Sequence, residues 1–142
     1  MIGYFNQDCS FKLKNRRLLS QWIKESAGEE GFSAGEIAII FCSDAYLLEI
    51  NRQYLNHDYP TDVITFDNRD PLKPKRISGD IFVSIDMVKE NAEKYGATFE
   101  TELRRVVIHG ILHLCGYRDK SRADIRTMRA KENYYLTKLN AL

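Results

Sequence analysis

Apolar residues recur along the chain at two different spacings. Leu18, Leu19, Trp22 and Ile23 fall three and four apart, which predicts an amphipathic helix over residues 14–27 with Gly28 as its stop. Residues 37–41, Ile-Ala-Ile-Ile-Phe, form a continuous β-rich apolar run instead, as expected of a central strand buried on both faces. Residues 2–5, 63–66 and 79–84 read as further strands. Ser43 or Asp44 can cap a helix whose stripe of Ala45, Leu47, Leu48 and Ile50 fades near Asn56. Three more helices follow: one from about Asp86 to Gly96, a long one that Thr98 caps and Gly116 ends, and a last one over residues 123–139. Strands and helices interleave, and little more than a loop separates Phe66 from Gly79. The expected class is therefore α/β or α+β, a small mixed sheet of about four strands flanked by about five helices.

At 142 residues the chain is expected to be one domain, 1–142. Its apolar content of 44% and charged content of 29% exclude disorder and fibrous repeats. The longest apolar run, 37–42, is far below the ~18 residues of a membrane span, and the amino terminus lacks the apolar stretch of a signal peptide, so a cytoplasmic location is expected and no membrane partner. Cys9, Cys42 and Cys115 are odd in number and widely spaced, which argues against a disulfide framework or a zinc ribbon. Net charge is only +1, but its distribution is uneven: residues 1–70 carry seven Lys and Arg against eleven Asp and Glu, and the remainder fourteen against nine. That polarity points weakly to a nucleic-acid face and equally to solvated helix surfaces. Within it, residues 67–76 form a basic connection holding Lys73, Lys75 and Arg76, solvated and able to touch a polyanion.

One segment carries distinctive chemistry: His109-Gly110-Ile111-Leu112-His113-Leu114-Cys115-Gly116-Tyr117-Arg118-Asp119. Residues four apart on a helix share a face, so His109 and His113 can aim their imidazoles at one point. Gly116 can adopt positive φ and turn the chain back, which lets Asp119 approach from outside the helix. Two nitrogens and a carboxylate oxygen would then hold one divalent ion, zinc above all, with a fourth position open for water. Ordinary half-buried histidines beside a surface aspartate are the alternative. The spacing also matches extended zinc-protease motifs, but those place a glutamate after the first histidine as general base, and Gly110 cannot accept a proton. No other side chain can be named as base from the sequence. Arg105, four residues before His109, can reach a phosphate near the ion, pair with Glu102, or stay in solvent.

The segment resembles the signature of the YbeY family of ribosomal-RNA maturation endoribonucleases, His-Gly-x-Leu-His-Leu-x-Gly-Tyr-Asp-His. Two upstream blocks are similar as well. Asn51 and Tyr54 with residues 58–66, Asp-Tyr-Pro-Thr-Asp-Val-Ile-Thr-Phe, resemble the family's Leu-Asn-x-x-Tyr-Arg…Asp-x-Pro-Thr-Asp-Val-Leu-Ser-Phe, and residues 79–84 resemble its Gly-Asp-Ile-x-Ile-Ser strand. The resemblance implies a mixed sheet packed with helices, a single zinc-type ion, and a role in small-subunit rRNA processing and ribosome quality control. Two departures stand out. Asp119 replaces the family's third histidine, adding negative charge that should make a bound water less acidic. Leu55 replaces an arginine suited to phosphate.

The expected function is thus a metal-dependent endoribonuclease that prefers single strands and matures the small-subunit rRNA 3′ end. Its catalytic and metal residues would be His109, His113 and Asp119, and Arg105, Lys73, Lys75 and Arg76 would bind RNA. Ribosomal RNA, the small subunit and assembly proteins are its expected partners. Two rivals remain open: a ribosome-assembly factor using the metal as a structural staple, and a metal-dependent hydrolase of another substrate.

Overall fold

Strand β2 (Ser33–Cys42) is the axis of the computed structural model, which describes residues 1–140. It lies between β1 (Ile2–Gln7) and β4 (Arg76–Ser84), parallel to both, and β3 (Val63–Asp67) closes the sheet antiparallel to β4, in the order β1-β2-β4-β3. The helices are α1 (Arg16–Glu29), α2 (Asp44–Leu55), α3 (Ile85–Tyr95), α4 (Phe99–Leu114) and α5 (Arg122–Asn140). The expected mixed sheet of four strands with five helices is what forms.

Alternation along the strands decides where the core sits. Ile37, Ile39 and Phe41 of β2 share a face with Ile77, Ile81 and Val83 of β4, and all six are buried against Trp22 and Ile23 of α1, Val107 and Ile111 of α4, and Met128 and Tyr135 of α5. The second face carries a smaller cluster in which Cys42 and Ile64 meet Leu47 and Ile50 of α2. Ala38 and Ile40 are only half-covered there and Phe5 is exposed, so β2 is central without being buried on both faces. Burying a residue such as Ile39 or Ile81 contributes roughly 1.5–3 kcal/mol, enough to fix the register in which the two face each other.

Element ends differ from expectation where local chemistry intervenes. Asn15 takes left-handed backbone angles, which a short polar side chain tolerates, and α1 begins only at Arg16; it then runs through Gly28. Strand β4 starts earlier than Gly79 because Arg76 and Ile77 pair with Ser33 and Ala34. Ser43, Ser84 and Thr98 each accept a backbone N–H at the start of α2, α3 and α4. Among the described residues, no helix is long and apolar enough to cross a membrane.

Candidate metal centre

Helix α4 presses its buried side on the sheet and presents His109 and His113 at the edge of that contact, 20% and 27% exposed. Its carboxyl end closes by two hydrogen bonds: Gly116 N–H to the His113 carbonyl (3.0 Å) and Tyr117 N–H to the Leu112 carbonyl (3.0 Å). This pairing requires positive φ at the turning residue, which Gly116 supplies at 103°. The Arg69 guanidinium, held by the Asp67 carboxylate at 2.7 Å, donates to the Leu114 carbonyl and satisfies another orphan acceptor of the same helix end.

The reversal positions two members of the cluster at once. It swings the Tyr117 carbonyl onto His113, whose Nδ1–H donates to it at 2.9 Å, and it returns Asp119 to the histidine pair. On the other side His109 Nδ1–H donates to the Glu132 carboxylate of α5 at 2.7 Å. A carbonyl and an ionised carboxylate can only accept, so both imidazoles carry their proton on Nδ1 and turn the Nε2 lone pair inward. His109 Nε2 and His113 Nε2 then stand 3.0 Å apart, and Asp119 Oδ2 lies 3.2 and 3.3 Å from them.

With both rings neutral, three electron-pair donors converge on one point. Donors bound tetrahedrally at ~2.0–2.1 Å from one ion are separated by about 3.3 Å, so the triangle fits a zinc-sized cation. His109, His113 and Asp119 can hold a metal ion, and no further His, Cys, Asp or Glu among the described residues joins the cluster. Cys115 stays outside it, and burial pushes its thiol up to about 12. A three-ligand set would leave a coordination position open, a pattern typical of hydrolytic sites, whereas structural sites usually have four protein ligands.

Glu132 was hidden from the sequence reading. It is 4% exposed, and besides His109 it binds Arg105 at 3.0 Å and Arg129 at 3.6 Å. Burial works against its charge, but the His109 and Arg105 contacts outweigh burial and lower its pKa. Its signal in the sequence is a carboxylate on the apolar stripe of α5, between Met128 and Tyr135. Arg105 therefore pairs with Glu132, a partner the sequence reading did not name.

His109 and Asp119 line two depressions that also share Asp62 and Val63, one of about 270 Å³ towards Arg105 and Glu132, the other of about 600 Å³ towards Leu55, His57, Tyr59 and Lys120. Asp62 is half-buried, and burial raises its carboxyl above the usual range despite the pull of His109. Lys73 and Arg76 line a different depression, with Glu36, Asp70 and Asp80, and Lys75 lies over the Phe32 ring at 5.0 Å. The structure does not bring these three basic residues to the cleft.

Known proteins point the same way. A family profile described as "Endoribonuclease YbeY" matches residues 3–140. Proteins named "Endoribonuclease YbeY" from Cytophaga hutchinsonii and Bacteroides thetaiotaomicron are 48% and 52% identical, over 96% and 83% of this chain and 94% and 84% of their own lengths. The solution structure of TM1509 from Thermotoga maritima superposes with a TM-score of 0.67 at 31% identity, covering 98% of this chain and 89% of that one. With the sheet, the histidine pair and the sequence match in agreement, this chain belongs to the YbeY endoribonuclease family.

Proposed function

We propose that this chain is a metal-dependent endoribonuclease of ribosomal-RNA processing, with His109, His113 and Asp119 holding one zinc ion. It cuts single-stranded RNA, matures the 3′ end of small-subunit rRNA, and serves ribosome quality control in the cytoplasm, with residues 1–142 acting as one hydrolase domain. The observation that carries the reading is the inward convergence of two imidazole Nε2 atoms and a carboxylate oxygen at the wall of an open cleft.

When bound, the ion supplies charge neutralisation at the scissile phosphate and activation of water. The chain's own residues supply the rest. Glu132 and the Tyr117 carbonyl lock the imidazole tautomers, so the ligands need no rearrangement to bind. Asp62, Asp119 and Glu132 make the bare cleft acidic, and a polyanion enters it only when a cation offsets them. Lys120 on the larger depression and Arg129 on the smaller one are placed to meet phosphates. Arg105 is engaged by Glu132 and acts through the ligand shell.

Metal-replete protein incubated with precursor rRNA, beside a His109→Ala control, tests the reading. Cutting by the native chain alone is expected. Equal cutting by both would mean a contaminating nuclease, and a fourth protein ligand on the ion would favour the structural staple.

A further inference from the structure

The larger depression beside the metal cluster carries an aromatic pair that nothing else in the fold explains. His57 and Tyr59 stack with ring centroids 5.0 Å apart and planes 20° from parallel, and the Tyr59 hydroxyl lies 3.0 Å from His57 Nδ1. Tyr59 is 53% exposed, and His57 is exposed too. Neither ring joins a core cluster, so hydrophobic burial does not account for them.

Their backbone is nevertheless held from inside. Asn51, 2% exposed, accepts the His57 N–H on its carbonyl at 3.1 Å and donates its side-chain amide to the Tyr59 carbonyl at 2.8 Å. Asn56 takes left-handed angles to make the bend. A buried polar residue thus anchors a turn that presents two stacked rings to solvent. They line one cleft with His109, His113, Asp119 and Lys120. Rigid, flat, solvent-facing aromatics beside a phosphodiester-cutting centre match one ligand chemistry, an unpaired nucleobase, since every base has a π-face to lay on the stack.

We infer that His57 and Tyr59 form a stacking platform for one unpaired base of the RNA strand lying in this cleft. The inference rests on the endoribonuclease reading. The platform reads no base edge, so it favours single strands over duplex and the larger faces of purines over pyrimidines, with no strict sequence rule.

The test compares binding of two strands of equal length to the zinc-loaded full chain, a 2′-O-methyl oligoadenylate and its abasic counterpart, each verified intact after the titration. About tenfold tighter binding of the base-bearing strand is expected, in the lower part of the range for one base–aromatic stack. Tyr59→Leu should bring the ratio close to one and leave abasic affinity unchanged, while Tyr59→Phe keeps it. Tyr59→Trp should also keep the ratio, with a fluorescence that only the base-bearing strand quenches. In the cleavage assay Tyr59→Leu should raise KM about tenfold with kcat held. The platform is overturned if native protein binds both strands equally, or if Tyr59→Leu discriminates as the native chain does. Base-dependent binding without any RNA cutting would sink the nuclease reading and leave the platform standing, whereas normal cutting with an unaltered ratio would do the reverse.

Discussion

Gly110 lies so close to Ile81 that a Cβ built on it would stand 2.8 Å from the Ile81 Cγ2 methyl and 3.2 Å from the buried, unpartnered Thr65 hydroxyl. The glycine lets α4 lie directly on β4 and β3, and it occupies the place where zinc-protease motifs carry their glutamate. Packing therefore excludes that base independently of chemistry. Gly110→Ala gains up to about 1 kcal/mol of helix propensity but incurs about 1–3 kcal/mol of overpacking, so a net fall in melting temperature is expected. Gly110→Glu, which adds a buried carboxylate to the clash, is expected not to fold stably. An alanine variant that melts higher than the native chain would refute the close-packing account.

Glu132 is expected to tune how tightly the proposed site holds an ion. Glu132→Gln keeps the shape of the side chain but removes the charge that orients His109 and offsets Arg105 and Arg129. Outer partners of metal-bound histidines typically contribute 10–100-fold in affinity, and a loss of about that size is expected in zinc titrations. Excess zinc should restore most of the RNA cutting, because Glu132 touches the ligand and not the substrate. Unchanged zinc affinity in the variant would show that the carboxylate does not tune the site.

A proton is expected to compete with a metal ion for His109. Burial disfavours its charged form, but the Glu132 hydrogen bond and charge, with Asp119 and Asp62, outweigh burial and raise its pKa above the ordinary 6.5. In metal-free protein this contributes stability that is fully present below 6.5 and is lost as pH rises through the raised value. Zinc needs the neutral ring, so its apparent affinity should climb with pH over that window by up to tenfold per unit, then level off. Calorimetry in buffers of different ionisation enthalpy should register proton release on binding near neutral pH. Release of none, with a flat affinity profile, would contradict the raised pKa.

Much of this was legible because it is local. Periodicity placed α1 to α5 and the four strands, and the apolar run at 37–41 marked β2 as central, although only its Ile37, Ile39 and Phe41 face is fully buried. The histidine spacing and Gly116 gave the ligand face and the reversal, since both are properties of one helix and its end. What crosses between elements was not legible. The partner of His109 lies 23 residues on, in α5, and no local pattern ties the two. Lys73, Lys75 and Arg76 read as RNA contacts by charge alone, yet Lys73 and Arg76 line a depression with Glu36, Asp70 and Asp80, and Lys75 lies over the Phe32 ring. Asn51 read as a motif letter, and only the fold shows it anchoring the His57–Tyr59 bend.

Asp62 trades stability for its place in the cleft. Burial raises its carboxyl above the usual 3.8, against the pull of the His109 charge, so in the metal-free protein the ionised form costs stability. That cost is absent below about 3.8, grows as pH rises towards the raised value, and is complete above it. Asp62→Asn removes the charge and keeps an oxygen that can accept from Asn91, the present partner at 3.3 Å. The metal-free variant should therefore melt a few degrees higher than the native chain near neutral pH, the shift that about 1 kcal/mol produces at this size, with the advantage vanishing in acid. RNA cutting should fall in the same variant, as expected where a functional carboxylate is held at a cost to the fold. A thermal scan of both chains across pH settles it: a variant less stable at neutrality, or an advantage that persists below the ordinary aspartate range, would mean that Asp62 is a net stabiliser.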